Sequence, residues 1–167
     1  ARDLTALVLV FPDEAGVFDV LPVFFVPEDG LRDREDQERV PYLAWKRDGL
    51  IRTMPSRSLD PRFVATAVAE LNGVYGIKKL AYDRWRIEDL LVIAEDEGIS
   101  LPEMKPFGQG YKDMSPALEN FERMLLSNEI AHNGHPILTM CAGNAVTDSD
   151  PAGNRKLDKQ QATGRID

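Results

Sequence analysis

The chain has 167 residues, 43% of them hydrophobic, and a formal net charge of −8. This length suits one globular domain with its own core, and no apolar run is long enough to span a membrane. The single cysteine, Cys141, excludes a disulfide framework, and the acidic charge argues against non-specific polyanion binding by the whole surface. The absence of a secretory signal also favours a reducing cytoplasm.

Two apolar runs near the start, residues 4–11 and 17–26, flank a turn-forming segment at 12–16. Their β-branched and aromatic residues predict a β-hairpin. Because both runs are apolar almost without interruption, we expect the hairpin to be covered on both faces. Pro22 predicts an edge strand or a bulge, since proline has no amide hydrogen to donate to a neighbouring strand.

The next segment is highly charged rather than apolar, and residues 32–39 mix acidic and basic side chains. Such a run is typical of a solvated helix face rather than a binding surface. Pro41 breaks or starts a helix after it, and we expect Trp45 to be a core or docking residue. Residues 51–58 indicate a loop.

A regular pattern of helix and strand follows. Asp60 and Pro61 predict a helix start, and apolar residues at helical spacing continue to the glycines at 73 and 76. A strand at 80–82, a helix ending at Gly98 and a strand within 99–107 come next. This order predicts parallel neighbouring strands joined by a right-handed crossover.

Asp83 follows the predicted strand at 80–82, and the next helix begins at about residue 86. The carboxyl ends of parallel strands form the edge at which α/β proteins bind ligands, so Asp83 is a candidate site residue. The alternative is that Asp83 only caps the next helix. The spacing does not distinguish these two roles.

A glycine-flanked loop at residues 107–112 could present Gln109 and Lys112 to a phosphate backbone, or could be only a tight turn. It lacks the spacing of a P-loop. Ser115 and Pro116 predict the start of the following helix.

The last forty residues are more polar. His132 and His135 lie in a turn-like segment, but no further zinc ligands are near them in the sequence, which disfavours a zinc site. Residues 144–150 and 154–160 predict a second hairpin with an exposed tip. The end of the chain is locally basic, with Arg155, Lys156, Lys159 and Arg165.

The sequence contains no nucleophile elbow, HExxH motif or dinucleotide fingerprint. The remaining candidates for chemistry are carboxylates at the ends of elements: Asp3, Asp83, Asp148, Asp150 and Asp167. If two or three of them converged, they could hold a pair of Mg²⁺ or Mn²⁺ ions, which favour oxygen ligands. Such a pair supports phosphodiester hydrolysis, although aspartates at strand ends and turns are common.

Several segments, in order along nearly the whole chain, resemble the C-terminal nuclease half of large terminase subunits of tailed bacteriophages and prophages. They are LTALVLVFPD, DVLPVFFVPED, VPYLAWKRDGLI, AYDRW, PFGQGYKDMSP and DPAGNRKLDKQQATGRID. The resemblance implies a ribonuclease H-like α/β fold, in which a mixed sheet has helices on both faces and acidic residues bind two divalent cations. In that family the enzyme cuts concatemeric double-stranded viral DNA while an N-terminal ATPase motor packs it.

The resemblance also implies roles for individual residues. Asp83 in AYDRW matches the strand-end acid of the family, and Asp167 in GRID matches the acid that opens the last helix. Asp3 matches the acid that opens the second strand, which gives it a weaker claim to metal contact. Lys159 and Arg165, in the same tail as Asp167, resemble the basic residues of the family that could meet the scissile phosphate. Lys112 and Gln109 of the glycine-flanked loop and Arg84 are further candidates for DNA contact.

The chain departs from the family pattern in what it lacks. The motor domain is absent, so residues 1–167 are expected to form a single nuclease domain without ATP hydrolysis. The first strand, with its acid, and the closing helix are also absent. Since that strand would lie between the first hairpin and the strand at 80–82, two apolar sheet edges are expected to be unpaired. We therefore expect this sequence to be part of a longer chain.

The partners implied are double-stranded DNA and, through the full-length protein, the portal protein and the small terminase subunit, in the host bacterial cytoplasm and without a membrane. Two other functions remain open. One is a packaging module that docks on portal or DNA without cutting, and the other is a flavodoxin-like α/β binding domain.

Overall fold

The computed structural model describes residues 4–84 and 87–166. The strands of this part are β1 (Thr5–Pro12), β2 (Phe18–Pro27), β3 (Arg52–Met54), β4 (Lys79–Asp83), β5 (Glu103–Phe107), β6 (Ile130–Ala131), β7 (Thr147–Ser149) and β8 (Arg155–Leu157). The helices are α1 (Leu31–Glu38), α2 (Tyr42–Arg47), α3 (Pro61–Tyr75), α4 (Ile87–Asp96), α5 (Tyr111–Leu126) and α6 (Pro136–Asn144).

The largest sheet is built on the predicted first hairpin. β1 and β2 pair antiparallel from Thr5 opposite Phe25 to Pro12 opposite Phe18. β3 and β6 both pair parallel with β2, β3 near its end and β6 at its start. Pro22 lies between these two pairings, where β2 has a strand neighbour only on its β1 side. The predicted edge position of this proline is therefore confirmed locally.

The second sheet consists of β4 and β5, which pair parallel through the whole length of both strands. This confirms the parallel neighbours predicted from the order of elements. Among the described residues, β1 has a strand partner only in β2, and β4 has one only in β5. The outer edge of β1 and the outer edge of β4 thus have no strand partner in this part of the chain.

Both faces of the β1–β2 hairpin carry a hydrophobic core. On one face Phe24 packs with residues of α1, α2 and α6, among them Tyr42, Trp45 and Ile137. On the other face Phe25 packs with α3. The hairpin is not fully covered on both faces as predicted, because Val8 and Val10 of β1 are 43% and 51% exposed.

The α3 helix begins and ends where its sequence predicts. The Asp60 side chain accepts a hydrogen bond from the Arg62 amide at 2.9 Å, and Pro61 occupies the first turn. Gly76 ends the helix with a φ of 61°, a left-handed conformation that glycine adopts without strain. Helix α3 packs over the first sheet, and its core cluster also includes Leu80 of β4. The helix therefore links the two sheets.

Three predictions about elements were wrong or incomplete. The predicted loop at 51–58 contains β3, a strand of three residues whose pairing comes from β2. The pairing of β6 was also missed. Helix α5 begins at Tyr111 rather than at Ser115, so Pro116 lies inside the helix. Ser115 is buried, and its hydroxyl accepts a hydrogen bond from the Arg155 amide instead of capping α5.

The second hairpin, β7–β8, is confirmed, with an exposed tip between the strands. The Asp150 side chain accepts hydrogen bonds from the amides of Ala152 and Asn154, which closes the turn. Within residues 4–84 and 87–166, no helix has both the length and the apolar character needed to cross a bilayer.

Candidate active site

The carboxyl ends of β4 and β5 form the edge at which the sequence places Asp83. Asp83 is the last residue of β4, and its Cα pairs with that of Phe107, the last residue of β5. The Asp83 residue is exposed. Arg84, which follows it, is not helical, so Asp83 does not directly precede a helical residue. Asp83 therefore lies at the end of its strand, as the sequence predicts.

Two oppositely charged side chains, Asp113 of α5 and Arg84 after β4, lie close to Gly108 in the loop after β5. A Cβ atom built on Gly108 would lie 2.0 Å from Asp113 Oδ2 and 3.3 Å from Arg84 Nη2. The Asp113 carboxylate and the Arg84 guanidinium therefore lie against the same side of Gly108. The absence of a side chain at residue 108 leaves the space that the carboxylate occupies. Arg84 follows Asp83 in the sequence, and its guanidinium lies close to Gly108 in the loop between β5 and α5.

The remaining residues of this loop are accessible to a ligand. Gln109 and Lys112 are exposed, and Lys112 lies in the first turn of α5. The neighbouring Tyr111 donates a hydrogen bond to Asp148 of β7, and Lys156 Nζ lies 4.8 Å from the Tyr111 ring centroid. The hydrogen bond to Asp148 raises the pKa of Tyr111 to about 12, so its phenol remains protonated at neutral pH. These contacts fix the second hairpin beside α5.

The end of the chain returns to the first half of the molecule. The Arg165 guanidinium makes two hydrogen bonds to the Glu38 carboxylate, one of them from Nε to Oε2 at 3.2 Å. Lys159 is exposed. Asp3 and Asp167, the other two predicted metal ligands, lie outside the described residues.

The two histidines have other partners in the structure. His132 Nδ1 accepts a hydrogen bond from the Gly134 amide, and the His135 ring packs against Phe24 with centroids 5.4 Å apart. Burial lowers the pKa of His135, so the ring is neutral at physiological pH. Across residues 4–84 and 87–166, no three histidine, cysteine, aspartate or glutamate side chains are grouped so that they could hold a metal ion.

All 167 residues match the family model described as the terminase large subunit, endonuclease domain. The chain belongs to this terminase family. It is also 48% identical, over 166 residues, to the large terminase subunit of Enterobacteria phage HK97. A second relative, protein YmfN of Escherichia coli K12, is 26% identical over 158 residues.

The crystal structure of the HK97 large terminase matches this terminase domain with a TM-score of 0.93 over 99% of the chain. The mixed sheet with helices on both faces is therefore the ribonuclease H-like fold that the sequence predicted. The match with the HK97 protein includes 99% of this chain but only 33% of that protein. The match with YmfN includes 90% of this chain but only 34% of that protein. It thus spans about a third of the length of these relatives.

Two residues of the terminase domain escaped the sequence analysis. Asp113 was not singled out because it lies beyond a loop of unknown path, although the glycine-rich spacing before it was a usable signal. Glu38 was assigned to a solvated helix face, and its partner Arg165 is 127 residues away. No local pattern indicates such a pair.

The environment of Glu38 gives a pH-dependent prediction. Burial by itself raises the pKa of this carboxyl, but hydrogen bonds from Arg165 and Tyr42 outweigh burial and lower the pKa below 4.5. A lowered pKa stabilises the fold above the unfolded value and loses this effect as the pH falls through the folded value. We expect wild type to melt above Glu38→Gln at pH 7, with the difference shrinking below about pH 4.5. A difference that is constant from pH 7 to pH 3 would contradict this account.

Gly108 gives a second prediction. An alanine Cβ would overlap Asp113 Oδ2, so the carboxylate would have to rotate away from residue 108. Since the φ angle of Gly108 is not positive, we expect Gly108→Ala to cost less than about 1 kcal/mol of stability. We expect it to weaken DNA binding, measured by fluorescence anisotropy. Gly73→Ala in α3, where a Cβ has open space, is the control. Equal DNA affinity of the two variants would contradict a role for the packing around Gly108 in DNA binding.

Proposed function

We propose that this terminase domain is a metal-dependent endonuclease that cuts concatemeric double-stranded phage DNA during packaging. The observation that supports this most directly is the exposed Asp83 at the shared carboxyl edge of β4 and β5. Ligands in open α/β sheets bind at this edge. Family membership identifies the type of domain, and the proposal states the reaction that the domain catalyses.

The donor chemistry of the proposed ligands fits Mg²⁺ or Mn²⁺. Carboxylate oxygens are the ligands these ions prefer, and no cysteine or histidine lies among the proposed ligands. Asp83 and Asp167 are the proposed ligands of two cations, and Asp3 is a weaker candidate. When bound, such a pair of cations supplies an activated water and neutralises charge that develops on the scissile phosphate. Asp83 contributes by holding its carboxylate on a paired strand end, where the backbone has little freedom.

The basic and polar residues near the edge are proposed to orient the DNA. Arg84 lies next to Asp83 in sequence, and its guanidinium lies close to Gly108 in the loop between β5 and α5. Gln109 is exposed on the loop that follows β5, Lys112 is exposed in the first turn of α5, and Lys159 is exposed near the end of the chain. Such side chains position a phosphate backbone without reading its sequence, so we expect little sequence preference. Arg165 differs from them because its guanidinium pairs with Glu38.

The remaining parts of the proposal concern the whole protein. We propose that residues 1–167 are one nuclease domain that works with an ATPase motor, the portal protein and the small terminase subunit in the host cytoplasm. We also propose that a strand from outside this sequence pairs with the open edges of β1 and β4. The exposure of Val8 and Val10 on β1 supports a further packing partner near this edge.

The second candidate is a packaging module that docks on DNA or portal without cutting. The net charge of −8 favours it, as does the lack of a three-ligand metal cluster in the described part of the chain. The two functions differ in what happens to bound DNA.

Plasmid nicking by the full-length gene product separates them. We expect supercoiled plasmid to become relaxed and then linear with Mn²⁺ or Mg²⁺, and to stay supercoiled with EDTA. Binding of the plasmid without any cutting at saturating Mn²⁺ would contradict the nuclease proposal and support the docking module.

A further inference from the structure

Two neighbouring clefts lie along α1, one towards the loop before α3 and the other towards α2 and the end of the chain. They have volumes of about 740 Å³ and about 700 Å³, and Gln37, Glu38 and Arg165 line both of them. We call the two clefts together the basic groove, because the described residues that line it include five cations. These are Arg34, Arg39, Arg57, Lys159 and Arg165.

The basic groove is positively charged although the chain as a whole is acidic. Among the described residues two acidic side chains, Asp29 and Glu38, line it, whereas the whole sequence has a net charge of −8. The Glu38 carboxylate already accepts hydrogen bonds from the Arg165 guanidinium and the Tyr42 hydroxyl. A concave surface lined mainly by one sign of charge focuses its field and attracts ions of the other sign. The groove therefore favours an anionic ligand.

Two of the five cations are fixed in the wall of the groove. Arg34 donates from Nη2 to the Pro27 carbonyl at 2.6 Å, and Arg165 donates from Nε to Glu38 Oε2 at 3.2 Å. The Arg165 and Glu38 side chains are only 30% and 24% exposed. Because hydrogen bonds already hold these guanidinium groups, this part of the wall has little side-chain freedom to lose when a ligand binds.

Arg57 lines the first cleft and is positioned by the backbone around it. The Asp29 amide donates to the Ser56 carbonyl at 3.1 Å, and the Ser56 hydroxyl donates to the Ser58 carbonyl at 2.6 Å. These bonds hold the loop between β3 and α3 against the turn before α1. Arg57 is exposed, and its guanidinium has no hydrogen-bond or ion-pair partner in the part of the chain that the structure describes. Its charge is therefore available to a ligand.

Arg39 lines the second cleft, directly after the last residue of α1. Its φ of 55° is in the left-handed region, which glycine adopts more easily than a residue with a side chain. An arginine at this position therefore has a conformational cost. The residue is exposed, and within residues 4–84 and 87–166 no hydrogen bond or ion pair of its guanidinium offsets that cost. Residues held in such a conformation are found preferentially at functional sites.

We propose that the basic groove binds the phosphate backbone of double-stranded DNA, with Arg57 as a phosphate contact in the first cleft and Arg39 in the second. This inference rests on the proposed function and extends its DNA-contacting surface to α1 and the β3–α3 loop. Four of the five cations are arginines, whose planar guanidinium matches a phosphate with two parallel hydrogen bonds. DNA carries its charges at close, regular spacing, so one duplex can engage both clefts.

The test is DNA binding by the full-length gene product, measured by fluorescence anisotropy in EDTA over a range of salt concentrations. The probe is a labelled duplex of mixed sequence. For the double variant Arg39→Gln/Arg57→Gln, the slope of log K against log salt should decrease in magnitude by roughly one for each arginine removed. The Kd should rise by a similar factor for a second duplex of unrelated sequence, because phosphate contacts do not read bases.

The matched control is Arg32→Gln/Arg47→Gln. Both arginines are exposed, on α1 and α2, and neither lines the basic groove. This control removes the same charge from the same region and should bind DNA with the wild-type Kd and salt slope. Equal effects of the two double variants would show that only the net charge matters and would overturn the inference.

The variant Arg39→Lys/Arg57→Lys separates charge from a merely structural role. Lysine keeps the positive charge, so the salt slope should stay at the wild-type value, and both double variants at residues 39 and 57 should melt near the wild-type temperature. A slope as low as that of Arg39→Gln/Arg57→Gln would contradict phosphate contact. Labelled poly-glutamate is measured as well. If it binds wild type but not Arg39→Gln/Arg57→Gln, and DNA affinity is equal in both, the groove takes an acidic protein segment and the inference is overturned.

Plasmid nicking by wild type in Mn²⁺ distinguishes failure of this inference from failure of the proposed function. If wild type binds DNA but does not nick, the proposed function fails, and the effect of Arg39→Gln/Arg57→Gln on binding still decides the role of the groove. If wild type nicks and Arg39→Gln/Arg57→Gln binds DNA with the wild-type Kd and salt slope, only the inference about the groove fails.

Discussion

Replacing Asp83 with asparagine is expected to reduce plasmid nicking in Mn²⁺ by roughly a hundredfold or more. Asparagine keeps the size of the side chain but removes the negative charge that a divalent cation requires. Metal ions supply several kcal/mol of transition-state stabilisation in phosphodiester hydrolysis, and about 1.4 kcal/mol corresponds to a tenfold change in rate. Losing part of this stabilisation therefore has a large kinetic effect.

The control for Asp83→Asn is Asp89→Asn. Asp89 is an exposed aspartate in the first turn of α4, six residues further along the chain. The Asp89→Asn substitution removes one negative charge from the same region and leaves the strand end unchanged. We expect Asp89→Asn to cut like wild type and both variants to melt near the wild-type temperature. Equal cutting by Asp83→Asn and Asp89→Asn would contradict a metal-ligand role for Asp83.

The largest effect on stability is expected for Phe25→Ala. Phe25 has no exposed surface and packs edge-on against Phe63 of α3, with ring centroids 5.8 Å apart. Truncating a buried phenylalanine leaves a cavity and costs about 3–5 kcal/mol of the free energy of unfolding. Urea denaturation followed by the fluorescence of Trp45, which is buried in the other core cluster, measures this loss.

Val10→Thr is the matched control for Phe25→Ala. Val10 lies on the neighbouring strand β1 and is 51% exposed, and threonine keeps the branched side chain that favours a strand. We expect its cost to stay below about 1 kcal/mol. If the two variants lost similar stability, the core between the hairpin and α3 would not be the main support of the sheet.

The elements predicted correctly from the sequence carry their signals locally. The hairpin follows from two apolar runs around a turn, and α3 from the Asp60 cap and a helical stripe that ends at Gly76. β4 is predicted by its position between two helical patterns. The strands β3 and β6 were missed because two or three residues are too few to show an alternating hydrophobic pattern. Both strands form by pairing with β2.

The candidate site was predicted in part for the same reason. The position of Asp83 follows from the end of its strand, which the local pattern shows. The start of α5 was misjudged because a serine before a proline resembles a helix cap, whereas Ser115 is used to hold β8. The approach of Asp113 to Gly108 and of Arg165 to Glu38 depends on how the loop and the tail fold back.

We propose that Asp83 and Asp167 meet at one sheet edge to bind divalent cations. The most direct test is a crystal structure of the full-length gene product soaked in Mn²⁺, with anomalous scattering used to locate the metal. We predict anomalous peaks in contact with the carboxylates of both Asp83 and Asp167. Peaks that contact neither carboxylate, or two carboxylates too far apart to share a metal pair, would contradict the claim.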